Sequence, residues 1–255
     1  MSGGFLQLLD FISVVACLCA LVVASVQDLR SRLVDDRIWF ACLAVVVPVE
    51  VIRVVVCGGL CLHLAAIGCG LAIALALKLS GVMGEADCIA IVVCALALPV
   101  YGRGPVLGFM GVDVFLNSIL LSVFSVFYFL GRSLVAYLRG GLPRGVEASL
   151  PVKALLPLVA YPEKLSVLLS KSSVLAPVEE FAVDGGVRRR VRLSLRVDVF
   201  DGGWREVAEE VYSITGDVYV WCTIGLPHIV FILGGFLAAL TVGNIIFKLV
   251  FMILT

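Results

Sequence analysis

Charge is scarce in this sequence. Asp, Glu, Lys and Arg make up 15% of its 255 residues and sum to a formal net charge of zero, where soluble globular chains carry about 25% charged residues. Bulk charge therefore points to no nucleic-acid or acidic partner, and what matters is where the few charges sit. Histidine is rarer, with two residues in all. His63 and His228 have no partner at ligand spacing, so neither a metal nor any other cofactor is expected. Cysteine is not scarce, at nine, but Cys17, Cys19, Cys42, Cys57, Cys61, Cys69, Cys88 and Cys94 lie in apolar runs at no metal-ligand spacing. There cysteine acts as a small hydrophobe. Basic residues are missing ahead of the first apolar run, which carries Asp10 and lacks a small-x-small cleavage site. That run is expected to stay in place as a helix. No internal repeat and no low-complexity tract is present.

Apolar sequence is what abounds. Hydrophobic residues account for 62% of the chain and the mean hydropathy is +1.14, an excess that needs lipid to cover it. The sequence predicts an α-helical polytopic membrane protein with about six transmembrane helices and a small α+β cytoplasmic domain between helices five and six. A span takes roughly 20 mostly apolar residues. Leu8 to Val26 supplies the first, Ile38 to Ile52 most of a second, and Leu60 to Leu77 a third after a turn at Gly58-Gly59. Cys88 to Tyr101, short and holding Pro99, is the fourth, Val114 to Leu130 the fifth and Pro227 to Leu254 the sixth. Lys and Arg in the short loops set the orientation. Arg30, Arg32, Arg37, Lys78, Arg132, Arg139 and Arg144 fall on one side, with Arg53 and Arg103 on the other. The N-terminus is thus expected outside. Residues 1–130 form a membrane domain, 131–225 a cytoplasmic domain and 226–255 the final transmembrane helix.

The polar interval has its own grammar. Pro143, Pro151, Pro157, Pro162 and Pro177 punctuate its first half and predict short helices and loops against the membrane. From Val187 to Val199, Val and Leu alternate with Arg, Ser and Asp, which predicts a half-buried strand bounded by turns at Asp184-Gly185-Gly186 and Asp201-Gly202-Gly203. Its Arg face meets solvent or anionic lipid head groups. Nucleic acid is not expected there without an aromatic platform. Trp204 to Tyr212 reads as a short amphipathic helix and Val218 to Thr223 as another strand.

Ionisable groups at span ends are where chemistry would sit. Asp28, at the cytoplasmic end of the first span, reads by itself as a solvated flanking charge paired with Arg30 or Arg32. Asp87, at the start of the fourth, reads by itself as an N-cap. Topology puts both at one membrane depth, on helix ends that can be neighbours. Two carboxylates sharing a site cannot both ionise easily. A charged and a neutral carboxyl can together deprotonate water and protonate a leaving amine. Gly81 and Gly84 leave room beside Asp87.

Gly84-Glu85-Ala86-Asp87 resembles the GxGD motif of membrane aspartic proteases, in the form with a small third residue found in archaeal preflagellin and type IV prepilin peptidases. Gln27-Asp28-Leu29-Arg30-Ser31-Arg32 and the following Leu33 to Asp36 resemble that family's first motif. The stretch Val218 to Val230 is similar to its approach to the last helix, as is Gly243-Asn244 further on. Ala86 departs from the strict motif. The resemblance implies an aspartic endopeptidase with Asp28 and Asp87 as its catalytic pair, supported by Gly84 and Ala86. Its substrates would be membrane-inserted archaellin or pilin-like precursors, cut at the cytoplasmic face between a short basic leader and the apolar segment. No paired CxxC module precedes the first motif, which implies cleavage without methylation. Glu85, Asp35 and Asp36 are candidates for meeting the basic leader, although a solvated loop residue and a helix cap explain them as well. Two other functions compete with this reading. A small transporter would place its ionisable sites near mid-bilayer, and a non-catalytic assembly or scaffold protein would keep the motifs without the chemistry.

Overall fold

A bilayer leaves backbone N–H and C=O groups no partner but the chain itself, so its apolar runs fold as helices. In the computed structural model, residues 2–101, 108–172, 174–183, 186–191 and 203–254 are described. In chain order they form α1 Ser2–Ser31, α2 Asp36–Cys57, α3 Leu60–Ser80, α4 Glu85–Ala97, α5 Met110–Ser122, α6 Ser125–Leu138, β1 Val146–Glu147, α7 Leu150–Val159 and β2 Tyr161–Lys164. There follow α8 Leu165–Ser170, β3 Leu175–Pro177, β4 Glu179–Val183, β5 Val187–Val191, α9 Arg205–Thr215, β6 Tyr219–Ile224, α10 His228–Thr241 and α11 Ile245–Leu254. The chain divides into two compact units, residues 1–123 with 227–255, and residues 124–226. The second unit therefore begins inside the expected fifth span.

Four stretches are long and apolar enough to cross a membrane: Gly4–Ser31, Asp36–Cys57, Leu60–Ser80 and Met110–Leu138. The pair α10 and α11, bent by 53°, makes a fifth if taken as one span. By length and composition the count among the described residues is thus four or five, short of the six expected. The expected fourth span falls short because α4 has 13 residues, a rise of about 20 Å. Between α2 and α3, Gly58 and Gly59 take φ of 72° and 76°, a left-handed turn that L side chains resist. Arg103 lies outside the described residues, as do 192–199 of the expected strand and 184–185 and 201–202 of its turns.

In the first unit, Leu21 of α1, Trp39 and Val46 of α2, Ile91 and Val93 of α4, Val114 of α5 and Phe236 of α10 share one buried cluster. Small residues bring helices into close approach, as membrane packing favours. A Cβ on Gly70 of α3 would stand 2.6 Å from that of Ala95 in α4, and one on Gly111 of α5 would stand 2.8 Å from it.

The far end of this bundle, where α2 and α4 finish, carries buried charge. Arg53 pairs with Glu50 and, at 3.0 Å, with Asp10 of α1, while Glu50 also engages His63 Nδ1 of α3. His63, without a partner by spacing, thus finds one across a helix pair. At the same end, the break between α10 and α11 turns at Gly243, φ 82°. There Asn244 donates to Asp113 Oδ1 at 2.7 Å, Asn117 donates to the Gly243 carbonyl at 3.0 Å, and Ile245 N–H donates to Asn117 Oδ1 at 3.0 Å. The polar groups freed by breaking the helix are met by α5.

The second unit holds two three-stranded sheets. In one, β5 lies between β1, parallel to it, and β4, antiparallel; in the other, β6 lies between β2 and β3, both antiparallel. Alternation places Arg188 and Arg190 outward, while Arg189 is buried. Its guanidinium grips the buried Glu179 at 2.8 and 3.1 Å and donates to the Tyr219 carbonyl at 2.6 Å. Trp221 N–H in turn donates to Glu179 at 2.6 Å. The arginines of β5 are therefore not one solvated face, because Arg189 stands with the valines and is held by a carboxylate.

Candidate active site

The other end of the bundle is where α1 finishes and α2, α4 and α10 begin. Asp28 stands in the last turns of α1, half-buried. The Ile229 N–H, in the first turn of α10, lies against its carboxyl group; the positive end of a helix favours a carboxylate there. Asp28 Oδ2 is nonetheless buried with no hydrogen-bond partner among the described residues.

Asp87 is the third residue of α4 and lies outside the candidate spans. The Gly84 N–H donates to its Oδ2 at 3.2 Å. A Cβ on Gly84 would come within 3.3 Å of that same oxygen, so glycine gives the carboxyl its seat. Burial, and then the charge of Asp28, push the Asp87 carboxyl up to about 7, against the pull of the Gly84 N–H and of Arg32. Asp28 and Asp87 thus lie within electrostatic reach of each other in the resting fold. A carboxyl held near neutrality beside a second one is the state in which one can accept a proton while the other gives one.

Arg32, just past α1, bears on both carboxylates. Its backbone is left-handed, φ 59°, and its N–H donates to the Asp28 carbonyl at 3.2 Å. Gln27 ties the same turn down, its Oε1 accepting from Asp35 N–H at 2.9 Å.

Ala86 packs partly buried against the core beside Asp87. Glu85 is exposed and ion-paired with Lys78, whose hydrogen bond and charge lower its carboxyl from the ordinary range. Asp35 caps α2, accepting from the Arg37 N–H at 2.9 Å. Asp36 is exposed in the first turn of α2. Glu85 shares the first turn of α4 with Asp87, and Asp35 has a structural task as the cap of α2.

The sequence did not flag one further residue at this end. His228, the first residue of α10, has a buried Nε2 without a hydrogen-bond partner among the described residues. Trp39 Nε1 in the first turn of α2 and Ser25 Oγ in α1 share that condition. An unmet polar group in a protein interior costs about 1–3 kcal/mol, and such groups gather where something else is to be bound or done. Among the described residues, no group of three or more His, Cys, Asp or Glu could hold a metal ion.

Residues 15–131 match the type IV leader peptidase family. The matched segment spans both Asp28 and Asp87 and stops short of most of the second unit. The match supports a leader peptidase function and hence a protease, and the several apolar helices fit a multi-pass membrane protein. No curated protein matches the chain.

Proposed function

We propose that the protein is a membrane-embedded aspartic endopeptidase that removes the short basic leader from archaellin or type IV pilin-like precursors. One observation carries the reading: two carboxylates, both inside the leader-peptidase match, lie within electrostatic reach at one end of the bundle. In the reaction, one carboxylate takes a proton from water as its oxygen attacks the scissile carbonyl carbon. The other carboxyl gives its proton to the amide nitrogen as the C–N bond breaks. Either aspartate can fill either role, because a coupled pair shares its titration. Gly84 and Ala86 seat Asp87, and no methyl transfer follows the cut. Positive charge in the loops beside α1, α3 and α6 supports a cytoplasmic location for the site and for the second unit. The precursor's leader would wait there, with its apolar segment in the bilayer.

Membranes carrying the protein, mixed with a prearchaellin or a prepilin, test this. A shift in precursor mobility with wild type, absent from Asp28→Asn and Asp87→Asn at matched expression, is the expected result. Cleavage that survives in both variants removes the aspartic mechanism. A wild type that cuts no precursor while assembling with one would mark a scaffold.

A further inference from the structure

Among the polar atoms left unmet at the Asp28 end, one is placed to serve the proposed cleavage, and a role for it rests on that reading of the site. His228 opens α10, and the next N–H in the chain, that of Ile229, lies against the Asp28 carboxyl. Successive Cα atoms are about 3.8 Å apart, so the root of the His228 side chain starts close to the aspartate. The ring sits edge-on to Phe231, centroids 5.9 Å apart, in surroundings that would suit another phenyl ring. Nε2 is buried there and pairs with nothing among the described residues. Asp28 Oδ2, on the carboxyl that the Ile229 N–H lies against, is also buried with no hydrogen-bond partner among the described residues. A neutral imidazole can donate from this nitrogen. An extended peptide backbone offers a carbonyl oxygen to accept it and an N–H that can reach a carboxylate.

We propose that His228 is a substrate-contacting residue that donates from Nε2 to the carbonyl oxygen of the scissile peptide. When water adds to the carbonyl carbon, the C=O π pair moves onto that oxygen, and the developing negative charge sits on the atom His228 already holds. One carboxylate has by then taken the water proton. When the C–N bond breaks, the pair returns to form the new carboxyl group, and the other carboxyl protonates the leaving nitrogen. His228 gains and loses no proton in the cycle. A donor aimed at the charge that develops in the transition state acts on kcat more than on KM.

The test uses the full chain in membranes, with a precursor that the wild type cuts. His228→Phe keeps the ring contact with Phe231 and removes the unpaired nitrogen. It is expected to melt at or above wild type while kcat falls by about 100-fold with KM little changed, the scale of losing one such donor. His228→Gln, which can present an amide N–H, is expected to recover most of the loss. A wild-type kcat for His228→Phe overturns the proposal, and so do equal losses in the Phe and Gln variants at wild-type melting. Should His228→Phe melt lower, the comparison passes to His228→Gln against His228→Met, matched in length with a donor only in the first. Asp28→Asn and Asp87→Asn run alongside. If they cut normally the aspartate mechanism itself fails; if they are silent while His228→Phe is normal, only the role of His228 falls.

Discussion

The two ends of the membrane bundle hold polar groups in opposite ways. At the far end, Asp10, Glu50, Arg53 and His63 pair with one another, and Asp113, Asn117 and Asn244 hold the broken backbone of α10. At the near end, among the described residues, Asp28, Trp39 and His228 each keep a buried atom unmet, and two carboxylates lie within electrostatic reach of each other with no cation hydrogen-bonded to either. Both ends put charge where lipid disfavours it. The difference is whether the fold pairs its charges with opposite ones, although Arg53 Nε at the far end is itself buried with no hydrogen-bond partner among the described residues. Where it does, the groups stabilise; where it leaves them open, stability has been given up for something that arrives later.

That contrast can be broken in order of expected effect. Asp28→Asn and Asp87→Asn should each lower the rate of precursor cleavage by about 10²-fold or more, on the order of the loss from removing a general acid or base. Their melting temperatures in detergent should hold or rise, because a repulsive pair is relieved. Arg53→Ala should do the reverse: removing one partner leaves Glu50 buried and short of its cation, at about 3–5 kcal/mol, read as a lower melting temperature with cleavage per folded molecule retained. The near end should also show itself in pH. The Asp87 carboxyl is raised from 3.8 to about 7, so between those values the folded protein holds a proton that the unfolded chain releases. Its contribution is fully present below about pH 4 and is lost as pH rises through about 7. Melting followed over that range should slope downward in wild type, and Asp87→Asn should flatten the slope. Smallest, Gly84→Ala should slow cleavage several-fold, about 1 kcal/mol, by crowding the Asp87 oxygen 3.3 Å away; a rate equal to wild type would show that the seat is not needed.

Hydropathy made the long helices legible because α1, α2 and α3 are continuous apolar runs whose ends coincide with Arg, Gly or Ser. The run from Cys88 to Tyr101, short and holding Pro99, is the least span-like of the six, and the helix ends at Ala97 before that proline, where the residue ahead of proline leaves helical backbone. Asp28 and Asp87 could be singled out because each sits in a motif beside a helix end. His228 lies in the Val218 to Val230 stretch that resembles the approach to the last helix, yet it could not be singled out there, since about 200 residues of sequence separate it from Asp28. Arg189 was hidden for the opposite reason. Among five arginines in nine residues, only the parity of the strand distinguishes the one that turns inward, and its partner Glu179 lies on another strand.

The brevity of α4 bears on how water, the second reactant, arrives. A 13-residue helix covers about 20 Å of a hydrocarbon layer roughly 30 Å thick. Lipid does not meet this mismatch, because seven of the 13 residues of α4 are buried and only Glu85 is exposed, while the helices with exposed apolar faces, α1, α2 and α3, run 30, 22 and 21 residues. The missing length is made up by irregular chain at Gly81–Gly84 and Leu98–Tyr101. Irregular backbone at membrane depth persists only where protein or water covers it. At the Leu98 end protein does this, since Leu98 is 2% exposed and the Pro99 carbonyl accepts from the Met110 N–H at 3.2 Å; at the other end Val82 is exposed, which leaves water the way in where Asp87 stands.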